Sequence, residues 1–201
     1  MLGLSVFFLT RIQGALYFIN TIDDETVVGK SRKQLLWNTI PFLLVFLPFM
    51  VMLLTGEGFA VNPESGEVYM EPDKYLQNYL QMPVAGIFLL VGVLGVLAGI
   101  AITLFRQSNK GIWFTGAGTV FAVLSLFIVA GFNNTAYYPS TFDLQSSLTI
   151  QNSSSSHYTL TAMSYVSLLM PVVIGYIWYA WKLMNRKNIS AEEMESGEHA
   201  Y

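Results

Sequence analysis

Five apolar runs, at about residues 1–20, 35–55, 80–105, 111–132 and 159–181, limit what this chain can fold into. Each of the last four reaches 20 residues or more, enough at ~1.5 Å per residue to cross ~30 Å of hydrocarbon. A membrane barrel needs alternating segments of ~10 residues, whereas these runs are continuous. Charged residues make up 11% of the chain, about half the share of an ordinary soluble domain. The pattern predicts an all-α integral membrane protein with five transmembrane helices.

The charges between the runs predict an orientation. The connection at 21–34 holds Lys30, Arg32 and Lys33, that at 106–110 holds Arg106 and Lys110, and the last run is followed by Lys182, Arg186 and Lys187. The connection at 56–79 has Lys74 alone against Glu57, Glu64, Glu67, Glu71 and Asp73, and that at 133–158 has no basic residue. Basic residues thus occupy every other connection, the positive-inside pattern, which puts the N-terminus outside and the C-terminus in the cytoplasm. Trp37, Trp113, Trp178 and Trp181 fall on the basic side, and Tyr75, Tyr79, Tyr137, Tyr138 and Tyr158 on the other. Such rings anchor helices at the headgroup level. Residues 1–184 read as one transmembrane helical domain and 185–201 as a cytoplasmic, acidic tail. The first run lacks a basic leader and a small-residue cleavage site, so it reads as a retained helix rather than a signal peptide.

Within the runs, Pro41, Pro48 and Pro171 predict kinks. Gly92, Gly95 and Gly99 share one face of the third run, and with Gly116 and Gly118 of the fourth they predict closely packed helices. The connection at 133–158 is too polar to insert and should cover the outer surface. Asn133-Asn134-Thr135 and Asn152-Ser153-Ser154 match the glycosylation sequon, a pattern common by chance.

The inventory of reactive groups is sparse. There is no cysteine, which removes disulfides and thiolate ligands. The runs hold no His, Asp or Glu; His157 lies in an outer connection and His199 in the tail. Met50, Met52, Met163 and Met170 fit packing better than ligation. No phosphate loop, nucleophile constellation, metal-spaced cluster or basic patch for nucleic acid is visible. No catalytic residue, metal ligand or cofactor-binding residue is therefore assigned.

Arg11 stands apart as the ionisable group within a run. At mid-depth it costs at least ~2.5 kcal/mol unless paired or hydrated. It reads as a side chain snorkelling to the outer surface, a structural pair with another subunit, or a contact to a quinone, a lipid headgroup or a cofactor carboxylate.

Longer patterns carry a resemblance. Tyr138-Pro139-Ser140 precedes Ser146-Ser147-Leu148-Thr149-Ile150 and Asn152; then come Thr159-Leu160, Met163, Val166, Pro171, Tyr176, Trp178 and Trp181-Lys182. In order and spacing these resemble the end of subunit II of cytochrome bd-type quinol oxidases. Gln13-Gly14-Ala15 with Tyr17, and Gly58-Phe59-Ala60-Val61, resemble other patches of that subunit. The family's subunit II is a longer chain of two similar halves, and this sequence resembles the second. Either the subunit is encoded as two polypeptides here, or a first half has been lost or is supplied otherwise.

The resemblance implies a terminal oxidase complex that oxidises quinol, reduces dioxygen to water and contributes to the proton-motive force. The expected setting is the plasma membrane of a prokaryote. This chain would be a haem-free structural subunit, with haem b and haem d in the partner subunit I and quinol as substrate of the complex. Its expected partners are the haem-binding subunit I, a polypeptide supplying the first half of subunit II, and membrane lipids. The family's proposed proton-uptake carboxylates of subunit II lie in its first half and have no position here. The contrasting expectation is a small membrane transporter or membrane-complex assembly factor. A transporter should show polar or broken helices at the midplane, and beyond Ser, Thr and Arg11 these runs are almost free of polar groups.

Overall fold

The structure, a computed structural model, describes residues 1–184 and 189–190. Helix α1 (Leu2–Thr21) ends in the extended residue Ile22. Strand β1 (Ile22–Asp23) and Asp24 then turn the chain into α2 (Glu25–Thr55). The Asp24 carboxylate accepts from Val27 N at 2.8 Å, a cap that satisfies a free N–H, and Glu25 complements the helix dipole. The helix therefore starts well before the apolar run does. Lys30, Arg32 and Lys33, expected in a loop, ride on its first turns. Pro41 and Pro48 do not end α2, which continues through both.

Strands β2 (Glu57–Val61) and β3 (Val68–Pro72) form an antiparallel hairpin pairing Phe59 with Met70 and Val61 with Val68. Helix α3 (Lys74–Gln81) follows, and α4 (Pro83–Phe105) starts on its proline. The third span was expected from residue 80. Proline suits the first helical position and pushes Met82 out of helical geometry, so the break falls there.

Beyond α5 (Gly111–Gly131), the chain forms a single 3₁₀ turn at Leu144–Ser146 and the short helix α6 (Ile150–Ser153). The final span is two helices, α7 (His157–Ser167) and α8 (Met170–Met184), where one kinked helix was expected. At the junction Leu168 N and Leu169 N donate to Tyr165 O and Val166 O, three residues back. Pro171 has no N–H for the Ser167 carbonyl and disfavours helical geometry before it. Strand β4 (Ile189–Ser190) pairs in parallel with β1.

Among the described residues, five segments are long and apolar enough to cross a membrane: α1, α2, α4, α5 and the α7–α8 pair. Short links make α1/α2 and α4/α5 antiparallel hairpins. They meet around Ile12, Leu16, Ile19, Leu35, Phe42, Val96 and Ile100, and Gln13 Nε2 donates to Thr119 Oγ1 across them at 2.8 Å. Gly92, Gly95 and Gly99 of α4 lie against α5. A Cβ on Gly118 would sit 2.6 Å from both Gly92 O and Val96 N, and one on Gly99 would sit 2.5 Å from Gly111 O. Gly116, grouped with Gly118 in the sequence reading, faces away and meets nothing within 4 Å.

The basic segments share one end of the bundle. Arg32 Nη2 donates to Gln107 O in the α4–α5 link at 2.9 Å, and the Trp113 and Trp181 rings meet edge to face with centroids 6.5 Å apart. The two long connections fold together at the opposite end. Val61 N donates to Asn134 O (2.8 Å) and Ala136 N to Phe59 O (3.0 Å). The Gln145 amide accepts from Val68 N (3.0 Å) and donates to Val68 O (2.8 Å). Lys74, the one cation of the 56–79 connection, is buried there and paired with Glu71 at 3.1 Å. The acidic part of the tail, including His199, lies outside the described residues.

Candidate functional site

Arg11 lies on the exposed side of α1, its guanidinium 5.7 Å from the Phe7 ring centroid. It lines a groove of ≈ 450 Å³ between α1 and α2. Gly14, Ala15 and Phe18 form the α1 wall, and Val27, Lys30, Ser31, Gln34 and Asn38 the α2 wall. The wall on α2 is polar because Asp24 starts that helix early, carrying hydrophilic residues alongside α1. Asn38 Nδ2 already donates to Gln34 O at 2.6 Å. Among the described residues, neither Arg11 nor Lys30 has an ion pair or a side-chain hydrogen bond. Two cations on facing helices thus line one open slot. The sequence marked Arg11 as an outlier but did not reveal the α2 residues opposite it.

A second polar site, which sequence reasoning missed, sits at the other end. Asn78 of α3 is fully buried. Its amide donates to Val129 O (2.9 Å), one of the carbonyls left free at the end of α5, and to Thr135 Oγ1 (2.8 Å). Asn133 Nδ2 donates to Asn78 Oδ1 (2.8 Å) and to Gln81 Oε1 (2.7 Å). Asn133 and Asn134 both adopt positive φ, 60° and 54°, the left-handed geometry that asparagine tolerates best after glycine. The chain thereby turns back over the helix end. The asparagines of the two sequons in the 133–158 connection are engaged in fold contacts: Asn133 here, and Asn152 in a capping box with Thr149. Gly58 lets α3 approach β2, since a Cβ there would lie 2.6 Å from Lys74 Cβ.

Two tyrosines of α3 sit under this cap. Burial raises the Tyr75 hydroxyl above its ordinary 10.0, and a hydrogen bond with the Phe59 backbone opposes the shift. Burial likewise raises Tyr79, opposed by the bond to Ser125. The Ser125 hydroxyl lies 3.2 Å from the Tyr79 hydroxyl and donates to Ala85 O at 2.7 Å. These groups fasten α3 to α4 and α5.

Met52, Met163 and Met170 are all exposed, the last two on separate helices, and His157 is exposed at the start of α7. Among the described residues no group of three His, Cys, Asp or Glu gathers to hold a metal. An apolar cavity of ≈ 80 Å³ lies between α1, α2, α4 and α5, walled by residues such as Leu9, Phe46, Val93 and Leu126. It has no reactive group.

The residues carrying the resemblance fall into two groups. Those before α7 build the fold. Tyr138 pairs with Leu148 in a β-bridge, Ser147 Oγ accepts from Ser140 N at 3.0 Å, and Asn152 Nδ2 donates to Ser147 O at 2.9 Å. Those in α7 and α8 pack on almost nothing. None of the span's residues is buried; its aromatic contacts are Trp181 on Trp113 and Lys182 Nζ 5.1 Å from the Trp178 ring centroid.

Comparison with known proteins finds relatives of this chain. It is similar to "Cytochrome bd-I ubiquinol oxidase subunit 2" of Escherichia coli (strain K12), 29% identical over 147 residues covering 70% of this chain and 36% of that protein. The same identity and coverage hold for the proteins of that name from E. coli O6:H1 and O157:H7. The aligned part thus spans little more than a third of these relatives' length. The family model for cytochrome bd terminal oxidase subunit II matches residues 1–184. With the match running from α1 to the end of α8, the chain is a multi-pass membrane protein and belongs to the cytochrome bd terminal oxidase subunit II family.

Proposed function

We propose that this chain is a haem-free, structural part of subunit II in a bd-type terminal oxidase. The complex would oxidise quinol and reduce dioxygen to water in the plasma membrane of a prokaryote. Haem b and haem d would be held by the partner subunit I. The chain would support that subunit, screen its flank from lipid, and pack against the other half of subunit II, whether that half is a separate polypeptide or not. The observation that carries this reading is the bare α7–α8 span. It carries part of the resemblance yet finds almost nothing to pack on within the chain, which fits a surface used between subunits. The Asn78 cap and the glycine contact fit a rigid support. The charge sorting supports an orientation with the α1–α2 link, the α4–α5 link and the end of α8 on the cytoplasmic side.

Gentle purification through a tag on this chain tests the proposal. A haem-binding chain should co-purify, with quinol-dependent oxygen consumption. Recovery of a self-sufficient, pigment-free assembly with its own turnover or transport would overturn it. Reporter fusions at residue 64 and residue 108 should give opposite locations, the second cytoplasmic.

A further inference from the structure

We infer that the groove between α1 and α2 binds the headgroup of an anionic phospholipid from the leaflet on the basic side. Depth supports this first. Arg32 reaches the α4–α5 link, so that level, about 10 Å along α2 from Glu25, marks the hydrocarbon boundary. Lys30 lies just outside it. The Arg11 backbone, about 15 Å from the end of α1, lies only about one helical turn inside. A headgroup phosphate belongs at this level.

Charge supports it second. Arg11 and Lys30 line the same groove without anionic partners among the described residues, and Ser31 and Gln34 add polar lining. Cations at a bilayer surface attract anionic lipid by ~1 kcal/mol each. Shape supports it third. Leu4, Phe7, Arg11, Gly14 and Phe18 follow the i, i+3, i+7 spacing of one helix face, and all are exposed. An acyl chain leaving a headgroup at Arg11 would run along Phe7 and Leu4 toward the bilayer centre. A carboxylate from a partner chain could meet the charges but would not require that apolar track, so lipid is favoured.

The test uses the full chain with the chains that accompany it, titrated with phosphatidylglycerol or phosphatidylcholine and read by native mass spectrometry. Phosphatidylglycerol should be retained in preference to phosphatidylcholine. Arg11→Gln should weaken phosphatidylglycerol about fivefold, and Arg11→Gln with Lys30→Gln about thirtyfold. Gly14→Leu fills the groove at a position whose Cβ would meet nothing within 4 Å; it should weaken retention without removing charge, which keeps the idea testable if the charge variants fail to fold. Equal retention of the two lipids would overturn the inference. So would unchanged phosphatidylglycerol binding in Arg11→Gln together with loss of an accompanying chain, which would assign the groove to a partner's carboxylate.

Discussion

Asn78 shows how one side chain can hold a structure without taking part in chemistry. Its amide serves a helix-end carbonyl, a threonine and a second asparagine from a site closed to water. Truncation leaves Val129 O without this buried partner and takes one bond each from Thr135 and Asn133, which keep bonds to Asn133 O and Gln81; an orphaned buried group costs about 1–3 kcal/mol. Asn78→Ala should therefore lower the thermal midpoint of the purified protein clearly, whereas Glu64→Ala on the exposed hairpin turn should change stability by no more than about 0.5 kcal/mol. Equal midpoints would show the network to be dispensable. Nothing in the sequence announces Asn78, because an asparagine in a polar connection normally points to water. Arg11 is the opposite case, conspicuous in the sequence because charge in an apolar run is costly. Its surroundings stayed hidden, since they depend on where α2 begins.

Among the elements, α4 and α5 carry the clearest test. Their backbones approach through Gly92, Gly95, Gly99 and Gly118, and the atoms opposite are main chain that cannot step aside. Gly118→Val should abolish recovery of monodisperse protein. Gly116→Ala faces open space and should be neutral or stabilise by up to about 1 kcal/mol, the usual helix gain over glycine. If both variants behave alike, the contact is not what holds the hairpin. The spacing of Gly92, Gly95 and Gly99 was legible as a packing face, while the different roles of Gly116 and Gly118 were not. Two residues apart they point to different sides of a helix, and the partner's position decides which side matters. Helix ends divide the same way. Apolar length located all five spans, but the Asp24 cap and Pro83 moved their boundaries, and the β2–β3 hairpin left no strong signal in a short acidic connection.

At the level of the molecule, the outer cap and the last span make opposite demands on the bundle. The cap is closed on itself, and its tyrosines give it a pH limit. Burial raises Tyr75 and Tyr79, so above pH 10 the folded state holds protons that the unfolded chain has released. Stability is full below that range and falls as pH climbs through the folded values. The thermal midpoint should drop above about pH 10, and less steeply in Tyr79→Phe; an identical slope would show that Tyr79 does not contribute. Apart from Trp181 on Trp113, the α7–α8 span is open, and Gly175 within it meets nothing within 4 Å. Within the chain alone Gly175→Leu should leave the melting curve unchanged. If a partner helix packs on this span, the added side chain should reduce recovery of the haem-bearing chain in a tag purification. Were co-purification to survive both Gly175→Leu and the wider disruption of Tyr176→Ala with Trp178→Ala, these residues would face lipid. The basis for the scaffold role would then shift to the bundle's other faces.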